Sequence, residues 1–199
     1  MRSFVLFLLR LLNFAKQPTP TVLKPEPKPV PVPEPQEHPV VLEARKYIGK
    51  REKPGNSGFF DGAFEADMVD EGWQKGWAWC SIFARLVFRK VYPEKEELKK
   101  LFNPSAVKTF QNFKDAGYPI SIKPAVGSLV IWQQQKNGKP HWTGHAGIVE
   151  KVFDDEAFQA IEGNSNVAGS RDGDRVIPRS RRVVDDVPNG LKVLGFVII

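Results

Sequence analysis

Apolar positions first recur at helical spacing near residue 40, where Val41, Leu42, Ala44, Tyr47 and Ile48 predict a short helix closed by Gly49. Residues 52–76 show no period: Gly and Asp alternate with scattered aromatics, so the pattern predicts a long irregular stretch. A firm helical stripe follows in Ile82, Phe83, Leu86, Val87 and Val91, ended by Pro93. Two further helices are predicted over 94–102 and 104–116, the second stopped by Gly117. Beyond residue 120 the period changes to two, with strands predicted over 128–133, 145–153, 157–162, 175–183 and 191–198. Helices first and strands second, the strands joined by short turns, predict an α+β domain with an antiparallel sheet.

The first 39 residues follow neither period. Residues 4–12 are apolar but broken by Arg10, short of the ~20 residues that span a bilayer. Residues 1–16 therefore read as a signal-peptide core, an interfacial anchor with membrane association through residues 4–15, or a poorly chosen start with no export role. Residues 17–39 are a proline-rich linker, with nine prolines after position 17. Proline lacks an amide donor and fixes its own backbone, so the segment forms neither helix nor sheet and can reach roughly 70 Å as polyproline. The globular domain is expected over 40–199, and residues 1–16 point to export or membrane association.

Charge narrows the partners. The net +6 is dispersed, five Lys or Arg against three Asp or Glu in residues 1–39 and 24 against 20 in the rest. Arg171, Arg175, Arg179, Arg181 and Arg182 are diluted by Asp172 and Asp174, so a solvated strand edge is expected and nucleic acid is not a predicted partner. One cysteine excludes a disulfide framework and a multi-thiolate zinc site. His141 and His145 have the spacing of two ligands on a helix, but Trp142, Thr143 and Gly144 lie between them in a strand-like run, and no HExxH glutamate is present. Asp61, Glu65, Asp67 and Asp70 match no calcium loop. No metal or cofactor is expected, and the chain is expected to be a monomer.

Cys80 precedes the apolar stripe directly, which puts its thiol at a helix N-terminus, where unpaired amides and the helix dipole favour a thiolate. His145 opens a strand among Gly144, Ala146 and Gly147, small residues that leave room around the imidazole for a substrate. If Asp154 and Asp155 form a two-residue turn, His145 falls opposite Asn164 and Gly147 opposite Glu162, all on one face of the sheet. Glu162 or Asn164 can then accept the second imidazole N–H and orient the ring.

A cysteine on a helix N-terminus, followed by a histidine and a polar acceptor on successive strands, is the order of papain-like hydrolases. Trp79-Cys80 with Phe83, the run Pro124 to Val130, Gly144 to Val149, and Glu162-Gly163-Asn164 together resemble the CHAP family of cysteine, histidine-dependent amidohydrolases/peptidases, across roughly residues 40–198. Glu52-x-Pro54-Gly55 resembles an upstream motif of one subgroup, while Ser128 stands where the family usually has Asp, a change that bears on a turn. The resemblance implies hydrolysis of peptidoglycan amide bonds, either as an N-acetylmuramoyl-L-alanine amidase or as an endopeptidase. It implies Cys80 as nucleophile, His145 as base, Glu162 or Asn164 as orienting group, and Gln74 as a second oxyanion donor. The rival expectation is a wall-binding or virion-structural module that keeps the fold without activity.

Overall fold

The computed structural model describes residues 37–166, 173–184 and 187–199. The apolar segment 1–16, the linker up to residue 36, Arg171 and Asp172 lie outside these. No described helix is long and apolar enough to cross a membrane.

Helix α1 runs Pro39–Arg45, with proline at its first position, where the missing N–H costs nothing. The helix thus begins inside the stretch read as linker. His38 is its cap, its ring accepting the Val40 N–H at 3.3 Å. That ring lies against Gly127, where a Cβ would come within 2.2 Å of it.

The stretch read as irregular contains a second helix, α2 (Gly62–Asp70), capped by Asp61, whose carboxylate accepts the Phe64 N–H at 2.9 Å. Only Phe64 and Met68, one turn apart, bury its inner face, too few positions for a period to register. Phe64 meets Phe59, Trp79, Phe83 and Tyr47 in an aromatic cluster, with the Phe59 and Phe64 centroids 4.8 Å apart. These rings form the floor beneath the next helix.

Helix α3 (Cys80–Val91) is buried on more than the predicted stripe, since Cys80, Ser81, Ala84 and Phe88 are also inside. Buried Ser81 shares a 2.9 Å hydrogen bond with Thr109, which ties the start of α3 to a later helix. Helix α4 (Leu98–Leu101) is shorter than predicted, and α5 (Ala106–Asp115), which carries Thr109, begins after the cap Ser105.

Six strands follow: β1 (Ile120–Ser121), β2 (Leu129–Lys136), β3 (Lys139–Val152), β4 (Ala157–Ser165), β5 (Arg175–Arg182) and β6 (Gly190–Val197). They form one antiparallel sheet in the order β1-β6-β2-β3-β4-β5. The α+β class and antiparallel sheet match expectation, and β1 is an addition.

The sheet buries both faces. Leu129, Ile131, Ala146, Ile148 and Ile161 join the helical core, whereas Val130, Trp132, Val149, Phe158, Ala160 and Phe196 form a second cluster from the alternate positions. Val183 after β5 and Leu191 and Val193 of β6 pack against that second cluster.

Candidate active site

The first turn of α3 carries the thiol. Its cap residue, Trp79, places no side-chain acceptor on the amides of that turn. The Trp79 indole N–H donates instead to buried Glu52 at 2.9 Å. The amides of Ser81 and Ala146 donate to the Cys80 sulfur. Burial pushes the thiol up, but the charge and hydrogen bond of His145 and these two amides outweigh it, leaving Cys80 below the ordinary thiol range.

Ala146 can serve the thiol because the β3–β4 ladder has its last pair at Ile148 and Ile161. Beyond that pair lie His145 on β3 and Glu162 on β4, and His145 Nε2 is 2.9 Å from Glu162 Oε2. With Nε2 engaged, the other ring nitrogen faces the thiol, to which His145 is hydrogen-bonded. Burial disfavours the imidazolium, yet Cys80 and Glu162 together raise His145 to about 10. Glu162 is fully buried. Burial pushes its carboxyl up, and the bonds to His145 and Arg181 outweigh that and hold it at about 2.

The register leading to the site agrees with the expected one, but the expected pairs His145–Asn164 and Gly147–Glu162 are not formed, and the turn differs. Phe153 and Asp154 both donate to the Ala157 carbonyl, so the loop is longer than two residues, and a bulge between Val149 and Lys151 shifts the ladder back by one. The two departures cancel at the bulge, and the predicted sum of paired positions returns at Val149↔Ala160 and holds at Ile148↔Ile161.

The small residues around His145 are filled by protein rather than left open for substrate. A Cβ at Gly144 would lie 2.3 Å from the Trp132 carbonyl oxygen, and one at Gly147 would lie 3.0 Å from Glu162 Cγ. Gly163 has the same use: a Cβ there would meet Trp79 at 2.7 Å and Phe83 at 2.8 Å. Its bare backbone lets the start of α3 press on β4.

Glu162, not Asn164, takes the imidazole N–H. Asn164 ends β4 in a left-handed conformation, φ 53°, and no hydrogen bond joins it to His145 among the described residues. Gln74 is exposed in the turn before α3, and no hydrogen bond joins its side chain to Cys80 or His145 among the described residues. His141 lies on β3, bonded to Thr143 at 2.7 Å, and no cluster of three or more His, Cys, Asp or Glu is placed to hold a metal among the described residues. Ser128 lies in the turn before β2, its hydroxyl donating to the Ala125 carbonyl at 2.6 Å.

Arg181 corrects the expectation of a solvated strand edge. Its guanidinium grips Glu162 twice, Nε to Oε1 and Nη2 to Oε2, both at 2.6 Å. It also lies over the Trp132 ring, 5.2 Å from the centroid, and Trp132 lies 5.7 Å from the imidazole centroid. Ser165 donates to Glu162 Oε2 at 3.2 Å. In the ladder Arg181 pairs with Phe158, not with Glu162, so only its long side chain makes the contact and spacing carries no signal of it.

Two surface hollows, lined by Gly49, Lys50, Arg51, Phe60 and Asp61 and by the loop 51–56 with Gly173 and Asp174, include neither Cys80 nor His145. Neither holds a nucleophile beside a base, whereas the thiol–imidazole pair does.

A thiol on a helix N-terminus, bonded to an imidazole from an antiparallel sheet that is itself held by a carboxylate, defines a papain-like cysteine–histidine arrangement. Residues 71–164 match the family model described as the CHAP domain. CHAP domains are typically cysteine- and histidine-dependent amidohydrolases or peptidases, with peptidoglycan as the general substrate. No curated protein and no solved structure matches the chain. The matched stretch contains Cys80, His145, Glu162 and Asn164 but leaves out Glu52 and Arg181.

Proposed function

We propose that the chain hydrolyses amide bonds of peptidoglycan through a thioester on Cys80, with His145 moving the protons and Glu162 holding His145. The observation that carries this reading is the chain of contacts from sulfur to imidazole to buried carboxylate, the last at 2.9 Å. The Cys80 thiolate attacks the amide carbonyl carbon, and amides of the α3 first turn, with Gln74 as a further donor, hold the oxyanion. As the C–N bond breaks, the imidazolium gives its proton to the departing amine. Water then attacks the thioester, its proton passes to His145, and the thiolate leaves.

The bond cut is either the amide between the lactyl group of muramic acid and L-alanine or one within the stem or cross-bridge peptide. The same reading puts the domain, residues 40–199, in the cell envelope, with residues 1–16 as signal or anchor and 17–39 as spacer. Mass spectrometry of muropeptides released by wild type and by Cys80→Ala tests the reading. Wild type is expected to release fragments bearing new amino groups, on L-alanine for an amidase or within the peptide for an endopeptidase, and Cys80→Ala none. Wall binding without release by the wild type would overturn the reading and favour a non-catalytic module.

A further inference from the structure

The carboxylate behind the base is held more firmly than orientation of a single imidazole requires. Glu162 Oε2 accepts from His145 at 2.9 Å, Arg181 at 2.6 Å and Ser165 at 3.2 Å, and Oε1 accepts from Arg181 at 2.6 Å. A carboxylate offers about four acceptor sites, so these donors leave no free rotamer. We propose that Arg181, outside the stretch matched to the family, is a positioning residue for the Cys80–His145 pair. Its two-pronged grip on Glu162 dictates which oxygen meets the imidazole and puts a second cation behind that carboxylate. The proposal rests on the hydrolase reading for its activity readout only.

Two geometric features support it. A planar guanidinium fixes a carboxylate in its own plane, which an ammonium cannot do. Arg181 is also held from behind by Trp132, whose ring stacks on buried Phe158 at 6.1 Å and 18° and also flanks His145. One indole therefore backs both the clamp and the base, so neither can turn independently.

The charge has a separate consequence. A buried carboxylate facing an imidazolium alone would hold its proton too tightly for release to a departing amine. Arg181 shares that carboxylate and opposes the imidazolium as a like charge, which keeps the proton transferable. The side chain is 22% exposed and turned onto Glu162, so it acts through Glu162 and His145.

The test compares wild type, Arg181→Met and Arg181→Lys in the full chain, with folding checked by circular dichroism. Two profiles are read against pH: kcat and KM on purified peptidoglycan, and the rate of Cys80 alkylation by iodoacetamide, which needs no substrate. For Arg181→Met, kcat is expected to fall about 10- to 100-fold with KM nearly unchanged. The upper step of its alkylation profile, where the imidazolium loses its proton, is expected to move up by about one pH unit.

Arg181→Lys keeps the charge and loses the fork, so its upper step should stay in place while kcat falls about 3- to 10-fold. A folded Arg181→Met with an unmoved upper step overturns the proposal. If Arg181→Met does not fold, an Arg181→Lys variant with wild-type kcat overturns it, and one with lowered kcat and an unmoved step supports it. Should wild type release nothing from peptidoglycan, the step in Arg181→Met alone decides: a shift upholds Arg181 as positioning residue while the substrate reading fails. With a silent wild type and no folded Arg181→Met, an upper step in Arg181→Lys displaced from wild type overturns the proposal and an unmoved one upholds it.

Discussion

Gly163→Ala adds one methyl group where α3 rests on β4. Its Cβ would stand 2.7 Å from the Trp79 ring and 2.8 Å from Phe83 Cβ, against the roughly 3.5–4.0 Å of normal carbon contacts. About 1 Å must therefore be found. Neither ring can yield it, since both are fully buried, Trp79 is bonded to Glu52, and both pack in the cluster with Phe64. The start of α3 moves instead and takes Cys80 with it.

Overpacking of this kind costs about 1–3 kcal/mol of stability, and a 1 Å misplacement of a reacting group costs about 100-fold in rate. For a domain of this size, Gly163→Ala should therefore lower Tm by about 2–12 °C and kcat on purified peptidoglycan by about 100-fold. Thermal denaturation and muropeptide release measure the two. Wild-type rate and Tm in Gly163→Ala would refute the claim that close approach of α3 to β4 sets the site.

Glu162 ties stability to acid. Its folded value of about 2, against 4.5 ordinarily, contributes roughly 3 kcal/mol that is present above about pH 4.5 and lost as pH falls toward 2. Urea midpoints of the wild type should drop through that window, and Glu162→Gln, less stable at neutral pH, should show a flatter profile. Glu52 runs the other way: burial raises its carboxyl to about 7, the Trp79 indole opposing and Asp174 adding to the rise, and its Oε1 has no hydrogen-bond partner among the described residues. An acid raised in the folded state costs stability as pH climbs from about 4.5 through 7, so Glu52→Gln, which keeps an acceptor for the indole, should melt higher than wild type near pH 8 and not near pH 5.

Much of the site was legible because it rests on local rules. A cysteine just before an apolar stripe must sit at a helix start, and period-two alternation put His145 and Glu162 on one face. The register agrees with the pattern as far as Ile148 although the turn does not, because the extra loop position and the bulge after Val149 offset each other. Helix α2 carried a readable signal in its Asp61 cap and the Phe64–Met68 pair, overshadowed by surrounding Gly and Asp. Two contacts had no local signature. Arg181 reaches Glu162 along the strand from a position paired with Phe158, and Glu52 reaches Trp79 across 27 positions of chain through tertiary packing. The pattern around His145 suggests room for substrate, whereas its glycines admit protein neighbours, the Trp132 carbonyl at Gly144 and the Glu162 side chain at Gly147.

Ultraviolet absorbance of the thiolate, followed against pH in wild type and in His145→Ala, addresses the Cys80–His145 ion pair itself. Wild type should carry a thiolate at neutral pH that disappears only on acidification below the ordinary thiol range, and His145→Ala should lose it at neutral pH. Equal thiolate signals in the two proteins, or none in either at neutral pH, would contradict a nucleophile made by this imidazole.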